Sequence, residues 1–91
     1  MHRARREDLP PGTWLVDLRD DLERAARPMR GAPVVAAELD DLLAGVAPGI
    51  PRGAAVVAAC VSGLKAELAA AALEALGWDD CGFAPAVEWL D

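Results

Sequence analysis

The segment AAVVAA at residues 54–59 limits the fold of this chain more than any other. It follows Pro51, Arg52 and Gly53, and it carries no polar residue on either side of a pleat. A strand of that kind buries both faces, the habit of a parallel sheet covered by helices. Parallel neighbours need crossover connections, and the flanking sequence supplies them. Residues 13–18 (TWLVDL) and 32–37 (APVVAA) read as further strands, the second with Pro33 at its start, where a missing N–H does least harm. Between them residues 19–29 (RDDLERAARPM) form a short helix, with Asp20 or Asp21 as its cap and Pro28 as its stop. Leu39, Leu42, Leu43 and Val46 then recur at helical spacing. From Leu64 onward the pattern is strongest: Leu64, Leu68, Ala71, Ala72, Ala75 and Leu76 share one helix face, Glu67, Ala70 and Glu74 point elsewhere, and Gly77 closes the helix. The last residues, WDDCGFAPAVEWLD, give a turn, a brief strand at residues 81–83 and a terminal helical turn ending on Trp89. Strand and helix alternate throughout, which places the chain in the α/β class.

At 91 residues the chain makes one small domain, close to the size at which burial barely offsets conformational entropy. Apolar residues reach 54% but aromatics only 4%, and alanine is the commonest type, so the core depends on close approach of small side chains. Residues 1–12, basic at the start and ending in a PPG turn, are expected to be a flexible, solvated segment ahead of a folded domain over residues 13–91. His2 belongs to that surface segment. The net charge of −6 understates the acidity of the rest, because Arg3, Arg5 and Arg6 all precede residue 7. Beyond them six basic residues face fifteen acidic ones, which argues against nucleic acid as a partner. The basic start has no apolar stretch behind it, so no export signal is expected, and no segment approaches a membrane span. The expected compartment is cytoplasmic and reducing, without membrane contact. Cys60 and Cys81 are too few and too oddly spaced for a zinc site or a disulfide framework, so they read as free thiols, with no metal and no cofactor.

Cys60 is the residue with chemical promise. It directly follows the buried strand, and in open α/β sheets ligands bind beyond the carboxyl ends of the strands. The loop of Val61, Ser62, Gly63 and Leu64 is short, and Gly63 lets it curl so that successive amides form an anion-binding nest at a helix N-terminus. A thiolate is stabilised in such a nest. Lys65, the sole lysine, adds a positive charge from the same turn, so the loop suits an anionic nucleophile and an anionic substrate. The plainer reading makes Cys60 a small hydrophobe that completes the strand.

Cys60, Gly63 and Lys65 reproduce a C-x-x-G-x-[R/K] loop, and through it the sequence resembles the single-domain rhodanese-like sulfurtransferases over nearly its whole length. WLVDLRD at residues 14–20 is similar to that family's first-strand motif, which closes on Asp-x-Arg, here Asp17 and Arg19. RPMRGA at residues 27–32 stands where the family has a Gly-His-Ile-Pro-Gly-Ala segment, and LEALGWDDCGF with AVEWL resembles its closing helix, strand and Trp-containing end. The resemblance implies a rhodanese-like three-layer α/β/α fold with a small, mostly parallel central sheet. It also implies sulfur transfer through a persulfide on Cys60, with the amides of Val61, Ser62, Gly63, Leu64 and Lys65 holding the charged sulfur. The implied partners are a small-molecule donor, thiosulfate or a low-molecular-weight persulfide, and a protein or thiol that accepts the sulfur.

The departures from the family pattern carry expectations of their own. Val61 stands where a basic residue is frequent, Ala66 where a hydroxyl is, and the histidine is replaced around Pro28 and Met29. Poor thiosulfate turnover is therefore expected, with an organic persulfide or a basic protein partner the better match. A phosphatase of this fold needs C-x5-R, but the residue six beyond Cys60 is Ala66. The alternative from another functional class is a rhodanese-fold module of low or no activity, serving in sulfur relay or protein binding. Asp17 and Arg19 read as a structural ion pair ahead of any supporting role at the site. Cys81 reads as a core-facing strand residue ahead of a resolving thiol, Ser62 as bonded to its own backbone, and Trp14, Trp78 and Trp89 as packing residues.

Overall fold

The computed structural model describes residues 1–90 and contains five parallel strands: β1 (His2–Arg3), β2 (Trp14–Asp17), β3 (Val34–Ala36), β4 (Val56–Cys60) and β5 (Cys81–Pro85). They form one sheet in the order β1-β5-β4-β2-β3. β4 is its centre, paired from Trp14↔Val56 to Asp17↔Ala59 on one side and from Val56↔Cys81 to Cys60↔Pro85 on the other. Asp17, Ala36, Cys60 and Pro85 therefore end their strands along a single edge.

Side-chain alternation along β4 divides the core between two faces. Val56, Ala58 and Cys60 point to one face, where helices α2 (Leu39–Leu43) and α3 (Leu64–Ala75) cover them with Leu42, Ala66, Ala69, Ala70 and Leu73. Val57 and Ala59 point to the other, against Ala4, Leu15, Met29, Ala86 and Trp89. This second cover is largely irregular chain and a 3-10 helix (Ala86–Trp89), because α1 (Asp21–Ala26) buries none of its residues. The architecture is the expected α/β one, with one layer of packed helices and one thin layer about a sheet that is parallel throughout. Asp20 is the cap of α1: its side chain accepts the Glu23 N–H at 2.8 Å, and the Glu23 carboxylate turns back to the Asp20 N–H, a capping box.

Two expectations are corrected. The buried face of α3 is Ala66, Ala69, Ala70 and Leu73, an i, i+3, i+4, i+7 stripe, while Leu64 and Leu68 are 75% and 57% exposed. Alanines at the contact bring the helix backbone closer to a sheet surface that is itself built of Val56, Ala58 and Cys60, so the smaller face wins over the greasier one. The second correction concerns residues 1–12. They are not a solvated arm: β1 pairs with β5 at His2↔Gly82 and Arg3↔Phe83, and buried Ala4 donates its N–H to the Phe83 carbonyl at 2.9 Å. Gly82 permits this docking, since a Cβ there would stand 3.0 Å from the Ala4 Cβ. Pairing thus extends to the first residues of the chain, whose side chains stay exposed apart from Ala4 and Leu9.

Candidate functional site

β4 ends on Cys60, and its alternation turns that side chain toward α3, so the sulfur lies beneath the first turn of the helix. A helix start leaves backbone N–H groups without intrahelical partners. Here two of them close on sulfur: Gly63 N–H at 3.1 Å and Ala66 N–H at 3.3 Å from Sγ. The left-handed backbone of Gly63, φ +87°, lets the chain leave the strand and enter the helix within three residues. The Leu64 N–H goes instead to Ser62 Oγ at 3.4 Å, so the Ser62 hydroxyl accepts from the loop backbone two residues on. Of the loop Val61 to Lys65, Gly63 alone has its amide on the sulfur. The second donor, Ala66, is one sequence reasoning had singled out only for lacking a hydroxyl, although its position three residues past the cap residue Gly63 identifies the amide that a capping acceptor meets.

Cys60 is only 4% exposed but forms part of the wall of a cleft of about 360 Å³. Val61, Ser62 and Lys65 line the same cleft, as do Leu18, Arg19, Asp20, Asp21, Glu23 and Glu38. Leu64 points away into solvent and Val61 is exposed at the rim. Sequence reasoning did not foresee the four carboxylates around the mouth. Their signal lay in the topology: loops leaving parallel strands converge on one edge, so the residues after β2 and β3 face those after β4.

Asp17 and Arg19 meet behind that wall in a buried, two-pronged ion pair, Nε to Oδ1 at 3.1 Å and Nη2 to Oδ2 at 3.0 Å, with side chains 2% and 3% exposed. Arg19 also donates to the Arg27 carbonyl at 2.7 Å. The hydrogen bond with Asp17 raises the Arg19 pKa above its ordinary value, so the guanidinium stays charged. The pair clamps the turn between β2 and α1, the structural role expected of it, and Arg19 is in addition part of the cleft wall.

Cys81 lies at the opposite edge of the sheet. Its register partner is Val56, whereas that of Cys60 is Pro85, an offset of four residues or about 13 Å at ~3.3 Å per residue. A disulfide needs Cα atoms within about 7 Å. The folded chain therefore excludes a Cys60–Cys81 bridge, and with it the resolving-thiol reading. Burial pushes the Cys81 thiol up to about 11, and its hydrogen goes to the Trp78 carbonyl at 3.3 Å. Trp78 and Trp89 are core residues and Trp14 is half-buried beside the core. Among the described residues no group of three His, Cys, Asp or Glu side chains is placed to hold a metal ion, and no helix is long and apolar enough to cross a membrane.

No family model and no curated protein sequence matches the chain. Solved structures do. The crystal structure of the Rhodanese_3 like domain from the Anabaena sp. Alr3790 protein is similar with a TM-score of 0.64 and 15% identity, over 80% of this chain and 82% of that one. The X-ray structure of the rhodanese-like domain of the same Anabaena protein gives a TM-score of 0.64 and 16% identity, over 85% of this chain and 76% of that one. At such identity the likeness speaks for the fold alone: this chain has the rhodanese-like fold.

Proposed function

We propose that this domain is a sulfurtransferase that carries sulfane sulfur as a persulfide on Cys60. The observation that supports it most is the convergence of the Gly63 and Ala66 N–H groups on Sγ at the wall of a cleft. Two amide donors and the positive end of α3 stabilise negative charge on sulfur, as they would at an oxyanion hole. In the loading step the Cys60 thiolate attacks the outer sulfur of a persulfide R–S–SH. The donor S–S bond breaks, R–S⁻ leaves with the electron pair, and Cys60–S–SH forms. In the unloading step an acceptor thiolate attacks the outer sulfur of Cys60–S–SH, and Cys60 leaves again as thiolate. The charge that returns to Cys60 in this step is what the two amides receive. The Asp17–Arg19 pair positions the wall opposite the loop and touches no reacting atom.

Intact-mass measurement after exposure to thiosulfate or glutathione persulfide tests the proposal. The expected result is a gain of one sulfur atom, removed by cyanide and absent from Cys60→Ser. If no donor ever changes the mass, the domain is the binding module of the alternative reading.

A further inference from the structure

The mouth of the Cys60 cleft is acidic. Asp20, Asp21, Glu23 and Glu38 line it against Arg19 and Lys65. Two of these charges are engaged: the Arg19 guanidinium is paired with Asp17 behind the wall, and the Asp21 carboxylate with Arg24. With those partners included, five carboxylates face three cations, a net of −2. The carboxylate of Glu23 reaches back to the Asp20 N–H and that of Asp20 accepts the Glu23 N–H, so hydrogen bonds hold both in place and leave their charge intact. Glu38 comes from the far side, at the N-terminus of α2, exposed and with no capping bond. Lys65 is the second cation of the wall and is already counted in that net charge.

A cleft whose wall carries a net charge of one sign raises the local concentration of the opposite sign and repels its own. From this we infer that the thiol which takes sulfur from Cys60 bears a positive charge near its sulfur, and that dianionic thiosulfate is a poor donor to this site. The inference rests on the persulfide reading and names its substrate class. An aminothiol and a cysteine flanked by lysines in a protein present the same chemistry. In either case the transfer is Cys60–S–SH + R–S⁻ → Cys60–S⁻ + R–S–SH, with the ammonium group of R beside Glu38, Glu23 and Asp20.

The test begins with Cys60 loaded from an organic persulfide and verified by mass, and it follows unloading by cysteamine, 2-mercaptoethanol and 3-mercaptopropionate, compared at equal thiolate concentration. At low ionic strength cysteamine is expected to unload about tenfold or more faster than mercaptopropionate, with the neutral thiol between them and the spread shrinking toward unity in high salt. Glu38→Lys, which changes the wall by two charges without breaking a bond of the wild type, is expected to abolish or reverse the order, and Glu38→Gln to halve the effect on a logarithmic scale. A peptide Lys-Cys-Lys run beside Glu-Cys-Glu separates the sources: faster unloading by the former than by cysteamine points to a protein acceptor, and the reverse to a small aminothiol. Equal rates for the three small thiols, or an order indifferent to Glu38→Lys, overturns the inference while leaving the persulfide reading intact. A failure of Cys60 to load overturns the persulfide reading itself.

Discussion

Replacing Gly63 with alanine isolates what the amide cradle contributes. An alanine Cβ at position 63 would have Pro85 N, Pro85 Cδ and the Ala84 carbonyl carbon as its nearest neighbours, at 3.6, 3.8 and 3.9 Å, which is ordinary contact. The cost is therefore conformational. Holding an L residue at φ +87° costs roughly 1–2 kcal/mol. In a domain of this size that lowers Tm by roughly 5 to 15 °C. The loop sheds part of that strain by relaxing, which draws the Gly63 N–H away from Sγ, and a hydrogen bond to a charged acceptor is worth about 1.5–3 kcal/mol. Persulfide formation then slows about ten- to a hundredfold. Gly45→Ala is the control, because Gly45 has φ +91° with nothing within 4 Å of the added Cβ and lies far from the sulfur loop in sequence. It should cost a similar Tm and leave loading unchanged. Gly63→Asn should recover part of both losses, since Asn tolerates the left-handed region. Thermal melts and quench-and-weigh loading kinetics read the two effects separately. Wild-type loading in Gly63→Ala at lowered Tm would refute the reasoning.

Asp17→Ala leaves the Arg19 guanidinium buried without its carboxylate, and an unfolding free energy lower by about 3–5 kcal/mol is expected in urea. On α3, Leu64→Gln and Leu68→Gln should change stability by about 0.5 kcal/mol or less, whereas Leu73→Ala should cost about 2–5 kcal/mol; the opposite ranking would restore the leucine face as the core. Folded Cys81 keeps its proton to about 11 while the unfolded chain releases it near 9.0, so unfolding is favoured as pH rises through that window. About 2–3 kcal/mol of stability is lost between pH 9 and 11, and Cys81→Ala should show a correspondingly flatter alkaline profile.

Strands β2 to β5 were legible because each is an apolar run bounded by Gly, Pro or charge, and β4 differs from its sequence reading in starting two residues later, at Val56, and in reaching Cys60 itself. The thiol at the sheet edge followed from that strand and from the helix start at Leu64. The face of α3 was not legible. In a helix whose stripes differ only by alanine against leucine, hydrophobicity marks the wrong side when the contact demands small residues. β1 escaped notice since two residues show no period, and its pairing rests on Gly82 eighty residues away. The carboxylates of the mouth come from two segments, residues 20–23 and Glu38, and meet only where the fold brings both against the loop after Cys60, so no single motif announced the acidic cleft.

The central claim is that one particular sulfur, that of Cys60, bears the transferred atom. A donor labelled in its outer sulfur, followed by digestion and mass mapping of both cysteine peptides, tests it most directly. The account predicts the label on the Cys60 peptide alone, released by cyanide. Label on the Cys81 peptide, or on neither, contradicts it.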